Sequence, residues 1–207
     1  MRYRRAVEKL RELADACDAL KGRSLERALL LEAYVFGDVL EGAEAVDAVE
    51  VALVLDLPPE ELPWESYPRS AEWLADQLRL DKGGFAYWWR PRREPVGNHH
   101  IRGPVRFWSH DGPDEEVFQA LAERRFDVLA RSVPPVMEQR RQLASDLAGT
   151  LARLRAVHDA YWNREWRREH RGFGRYPENH LWEAVHGYLD VLDASEKADP
   201  ERVDEPE

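Results

Sequence analysis

The spacing of apolar and polar positions divides the chain into elements. Ala6, Leu10, Leu13, Cys17 and Leu20 recur at alternating intervals of four and three. That rhythm marks one face of an amphipathic helix over about residues 3–20. Lys21-Gly22 follows, with the glycine placed to close the helix. "LLLEAYVFG" lacks helical spacing and predicts a buried strand closing at Gly37. "DVLEGAEAVDA" reads as a connecting loop, and the valine- and leucine-rich "VEVALVLDL" as a second strand. On that strand Val51, Leu53, Leu55 and Leu57 share one face, while Glu50, Ala52, Val54 and Asp56 share the other. Pro58-Pro59 stops it.

Ser70 is placed to cap a helix through "AEWLADQLRL". The stretch from Gly83 to Gly112 holds three prolines and five glycines and reads as irregular, with a third strand near "PVRFW". "DEEVFQALAERRFDVLA" is helical, its first-turn acids favourable to the helix dipole. Pro134-Pro135 suits the first turn of a long helix along which Leu143, Leu147, Leu151, Leu154, His158 and Tyr161 keep register. After a break at "HRGFGRYPEN" comes a last helix, its apolar side Leu181, Val185, Tyr188, Leu189 and Leu192. The expected fold is α/β of the α+β kind: a small mixed sheet with flanking helices over 1–131, then a helical part over 132–195. The charged, proline-containing end, 196–207, is expected to be a disordered tail.

Composition narrows the function classes. Eight tryptophans and 43% hydrophobic residues supply a real core. The net charge of −10 argues against nucleic-acid binding by the molecule as a whole. The single cysteine, Cys17, excludes an internal disulfide and fits a reducing compartment. Neither a signal-peptide core nor a membrane-spanning run is visible, so a cytoplasmic location is expected.

Candidate chemistry starts at Val35–Leu57. A strand ending in glycine, a loop, then a strand with carboxylates on one face is how a site for nucleotidyl transfer is built. The glycine lets the protein backbone approach the triphosphate, and the carboxylates hold divalent ions. The stretch resembles the core motif of the polymerase-beta-type nucleotidyltransferases. Phe36-Gly37 and Gly42 match that family's glycines, and "VEVALVL" matches its strand, with Glu50 and Ala52 at its two aspartate positions. The resemblance implies a sheet of nucleotidyltransferase type, with Mg²⁺ as the cofactor of an active member. Three departures weigh against activity. Asp38 stands where that family has a hydroxyl, and two unit charges ~4 Å apart repel by about 4 kcal/mol at an effective dielectric of ~20. Ala52 lacks a ligand atom. The loop carries Asp38, Glu41, Glu44 and Asp47 and no base. Asp38, Glu50 and Asp56 remain the candidates to gather a divalent ion, and Asp38 and Glu50 the candidates for catalysis, with Asp111 as a further acid.

Phe85–Trp108 is the second constellation: five arginines against one glutamate, among six aromatic residues. Guanidinium forks grip phosphates, and aromatic faces stack on bases. With Gly37, the candidate ligand residues are Arg90, Arg92, Arg93, His100 and Arg102. This segment also resembles an uncharacterised bacterial protein family that carries Trp88-Trp89-Arg90, Pro95-Val96, Asn98-His99 and Pro104-Val105 in this order. Arg153/His158, Arg164/His170 and Arg175/His180 fall at a spacing similar to that of HEPN-type ribonucleases. In so Arg- and His-rich a chain, such spacing also arises by chance, and His158, in the apolar register, is expected in the core. "WNREWRREHR" reads as a solvated basic helix end. The expected function is that of a degenerate nucleotidyltransferase-like protein, non-catalytic, binding an anionic or nucleotide-like ligand or a protein partner through the Arg/Trp segment. The alternatives are an active transferase with an altered carboxylate set and an antitoxin-type interaction module.

Overall fold

A computed structural model describes residues 1–21, 30–131, 133–172 and 174–198. The chain forms two compact units, one of Met1–Pro58 with Pro68–Val133, the other of Pro59–Tyr67 with Pro134–Glu207. The segment Pro59–Tyr67, which the sequence places inside the first half, belongs to the second unit.

In the first unit, helix α1 (Tyr3–Ala19) buries Ala6, Leu10, Leu13 and Cys17, the stripe read from the spacing, together with Tyr3 and Ala14. Gly22 lies outside the described residues. Five strands follow: β1 (Leu30–Phe36), β2 (Val49–Leu55), β3 (Phe85–Pro91), β4 (Val105–Ser109) and β5 (Gly112–Pro113). They form one sheet in the order β3-β2-β1-β4-β5, with β2 and β3 parallel and the other pairs antiparallel. Helix α3 (Arg69–Gln77) connects β2 to β3, and α4 (Glu115–Ala122) follows β5. The result is a mixed α/β architecture with flanking helices, as expected. Asp114 caps α4 by accepting from the Val117 N–H at 3.2 Å.

Three local readings change. The β1–β2 connection contains a four-residue helix, α2 (Asp38–Glu41). Ser70 lies inside α3, with Pro68 at the cap position. The segment read as irregular begins with β3, whose seven residues pair in unbroken register with β2. Parallel pairing to a central strand supplies what local composition there does not.

The register gives the sheet two unlike faces. Ala33, Val35, Val51, Leu53, Leu55, Trp89 and Val105 share one, and all are buried. Phe107 packs edge-on against Phe118 of α4, and Trp108 Nε1 donates to Asp18 of α1 at 3.4 Å. Helices α1 and α4 therefore cover that side. The other face carries Tyr34, Phe36, Glu50, Ala52, Trp88, Arg90 and Arg106, and Tyr34, Glu50 and Trp88 are only half-buried.

The second unit is helical: α5 (Val136–Ala160), α6 (Arg164–Glu169) and α7 (Pro177–Ala198), with α5 packed along α7. Helix α5 starts directly after Pro134-Pro135. Its buried stripe is Leu143, Asp146 and Thr150, so the interior of this unit is partly polar. Leu147, Leu151 and Leu154 are half-buried. His158, expected in the core, has a side chain 79% exposed and pairs with Asp159. On α7 the buried positions are Pro177, Ala184, Gly187 and Val191, whereas Leu189, assigned to the apolar side, is 48% exposed. A Cβ on Gly187 would lie 2.8 Å from the Trp64 carbonyl oxygen. Trp64 Nε1 donates to Asp190 at 2.7 Å. The crossing segment 59–67 thus sits on α7 where the helix has no side chain. Helix α7 continues to Ala198, so the start of the expected tail, residues 196–198, is helical; 199–207 lie outside the described residues. Among the described residues no helix is long and apolar enough to cross a membrane.

Candidate functional site

Gly37 ends β1 with φ +65° and ψ −142°, a conformation that disfavours side chains. Its carbonyl accepts from the Leu40 and Glu41 amides at 2.9 and 3.2 Å, which starts α2, and Gly42 closes that helix in the left-handed region. Across the ladder Phe36 pairs with Glu50. The Glu50 carboxylate turns over the glycine, so that a Cβ on Gly37 would fall 1.7 Å from Oε2. The Asp38 N–H donates to the same oxygen at 3.2 Å. The backbone amide that a phosphate would use is taken by the chain's own carboxylate. Burial holds the Glu50 carboxyl above the usual carboxylate range; the charges of Asp38 and Glu41 push the same way, and the Asp38 N–H opposes them.

The remaining acids do not join this pair. Asp56 is six residues further along the strand direction, about 20 Å at ~3.3 Å per residue, and it pairs with Arg92. Asp111 lies past Ser109, which pairs with Glu32, while Val105 pairs with Val35, so Asp111 is at the end of the sheet away from Gly37. Ala52 is fully buried. Among the described residues no three His, Cys, Asp or Glu side chains gather as a metal group. The donor set therefore does not fit Mg²⁺ at Asp38, Glu50 and Asp56.

The Arg/Trp segment divides in the same way. Trp88 pairs with Ala52 and reaches Phe36 and His100, with ring centroids at 5.3 and 4.6 Å; Phe36 and His100 are 6.0 Å apart. The Asn98 carboxamide oxygen accepts from the His100 and Ile101 amides at 3.0 and 2.8 Å, which shapes the loop carrying His100. Arg90 is opposite Val54, toward the Asp56 end of the sheet. It is 1% exposed, donates to the Pro95 carbonyl at 2.9 Å and lies 3.6 Å from Glu94. Placed in the sequence as a ligand contact, it instead holds the turn after β3. Arg92 is paired with Asp56 at that same end. Arg93 is exposed. Arg102 is exposed and donates from Nε to the His99 carbonyl at 3.3 Å. Arg131, which no sequence motif singled out, donates from Nη2 to the Leu40 carbonyl at 2.7 Å and lies along Gly103, next to Arg102. Of the candidate ligand residues, Gly37, His100 and Arg102 belong to this end; Arg90 and Arg92 do not.

The second unit holds a half-buried polar network. Arg153 Nη2 is 3.3 Å from Glu183, which also pairs with Arg175. Arg175 lies over the Tyr67 ring at 4.0 Å. Burial, then the Arg175 charge, lowers the Arg153 guanidinium to about 10, with Glu65 opposing. His180 is lowered to about 4 by burial, then by His170, Arg175 and Arg153. His170 stacks on Trp166 at 4.0 Å and meets His180 edge-on at 5.0 Å. The Arg153/His158 spacing therefore does not converge: Arg153 turns inward and His158 outward. The histidines that do meet, His170 and His180, come from two different spaced pairs. Cys17 is buried and its thiol pushed up by burial, which keeps it inert.

Compared with known proteins, residues 1–197 match a family model described as a domain of unknown function. No curated protein and no solved structure matches the chain.

Proposed function

The chain belongs to that family, DUF7711, and from the geometry at Gly37 and Glu50 we propose that its first unit is a nucleotidyltransferase-like module that binds a nucleotide-like ligand without transferring it. One observation carries the reading: the Glu50 carboxylate sits over Gly37 and accepts the Asp38 amide. An incoming triphosphate would have to displace a carboxylate and lie beside two others, and no second carboxylate on β2 brings a metal to offset the charge. What remains at this end of the sheet suits a flat ring and one anion. Trp88 is half-buried and His100 exposed, a surface on which a base can stack. Arg131 beside α2 and Arg102 next to Gly103 are exposed cations at this end, suited to a monophosphate or carboxylate.

Thermal unfolding of the full chain with nucleoside monophosphates and triphosphates, with and without Mg²⁺, tests this. A ligand at about 100 times its Kd adds about 2.7 kcal/mol. A monophosphate is expected to raise the melting temperature independently of Mg²⁺, and Trp88→Ala and Arg102→Ala to remove the rise. Stabilisation by triphosphates alone, and only with Mg²⁺, contradicts the reading.

A further inference from the structure

A basic pocket lies in the helical unit. Trp162, Arg164, Glu165, Arg167, Arg168 and Arg171 line a pocket of about 700 Å³. Its lining has four arginines and one glutamate in a chain of net charge −10. The guanidiniums are not equivalent. Arg167 is committed to Glu178 at 2.6 Å and lies over the Tyr161 ring at 4.8 Å. Arg168 is 3.5 Å from Glu165, with both side chains about three-quarters exposed, a pairing worth little against water. Arg164 and Arg171 make no ion pair among the described residues. Trp162 is 84% exposed, and its ring meets Tyr161 edge-on at 5.1 Å. An indole left in water beside weakly neutralised guanidiniums adds little to this unit's own packing.

We propose that this pocket binds single-stranded nucleic acid, with an unpaired base stacked on Trp162 and backbone phosphates held by Arg164, Arg168 and Arg171. Stacking on an aromatic ring flanked by cations is how strands are held without sequence reading, because every base has a flat face. An acidic peptide would satisfy the arginines but gives Trp162 nothing to stack on. Duplex fits less well, since its bases are already stacked. The acidic charge of the rest of the chain keeps the affinity modest and sensitive to salt.

The test is fluorescence anisotropy of labelled oligothymidylate and oligouridylate with the full chain. Three phosphate contacts on a single strand predict a log–log salt slope of about −2, or roughly twentyfold weaker binding between about 50 and 200 mM salt. Trp162→Ala should weaken binding about tenfold with the slope kept. Arg171→Ala should weaken it and reduce the slope by about 0.7, and Arg171→Lys should restore the slope. All these positions are exposed, so unchanged thermal melts establish that the variants fold. Equal binding of both oligomers, or preference for one, supports the site; a preference reports the 2′-hydroxyl and the thymine methyl group together. The proposal is overturned by no binding at low salt, by binding that survives both Trp162→Ala and Arg171→Ala, or by polyglutamate competing as well as the oligonucleotides.

Discussion

Adding one methyl group at Gly37 probes the carboxylate above it. Gly37→Ala forces a side chain into φ +65°, ψ −142°, which costs on the order of 1–3 kcal/mol in backbone strain. The new Cβ would also fall 1.7 Å from Glu50 Oε2. A glutamate side chain can swing aside, so the steric term becomes the loss of the Asp38 N–H bond to Glu50, 3.2 Å long. A hydrogen bond to a charged group contributes about 1.5 kcal/mol at the low end of its range. Gly37→Ala alone should therefore cost about 3.5 kcal/mol. Glu50→Ala removes the same bond and should by itself cost about 1.5 kcal/mol. With Glu50→Ala already present, Gly37→Ala should cost only the strain, about 2 kcal/mol, a coupling of about 1.5 kcal/mol. Urea unfolding of the four proteins at one pH, compared at equal m-value, measures it. Coupling below about 0.5 kcal/mol, within ordinary additivity, would refute the placement of Glu50 over the glycine.

In the second unit, Gly187→Ala gains up to about 1 kcal/mol of helix propensity. It also puts a Cβ 2.8 Å from the rigid Trp64 carbonyl, and overpacking of about 1–3 kcal/mol should win; a raised melting temperature would argue against the crossing of 59–67 over α7. Glu183→Ala leaves Arg153 and Arg175, 13% and 21% exposed, without their shared carboxylate, and should lower stability by about 3 kcal/mol in chemical unfolding. His180 is lowered from 6.5 to about 4, so the unfolded chain takes up a proton that the folded ring refuses. Its contribution is whole above pH 6.5 and is lost as the pH falls toward about 4. With the ring half solvated the loss is about 1–2 kcal/mol, and His180→Gln should flatten the stability profile across that window.

Local rules read some elements well and others not at all. The stripe of α1 and strands β1, β2 and β4 follow from spacing and apolar runs, because each is decided by which face must be buried. Strand β3 was hidden because arginine, proline and glycine dominate its neighbourhood; only its pairing with β2 makes it a strand. In the second unit, leucines at helical spacing pointed to one stripe of α5, while the buried one runs through Asp146 and Thr150 beside Arg153. A polar interior is invisible to a hydrophobic pattern. At the candidate site, Gly37, Asp38 and Glu50 were legible, as was the missing ligand at Ala52. The six-residue gap from Glu50 to Asp56 already set those two acids about 20 Å apart. The positions of Arg90, His100 and Arg131 depend on long-range contacts, and no sequence signal separates the inward arginine from the outward ones.

The account rests on Gly37 being covered and unsuited to a metal-bound triphosphate. Pyrophosphate release by the full chain, supplied with each nucleoside triphosphate and Mg²⁺ or Mn²⁺, tests that most directly. The expected result is no release above the protein-free control, for the chain and for Glu50→Ala alike. Metal-dependent release that disappears in Glu50→Ala would contradict it, making Glu50 a working ligand and this sheet a transferase.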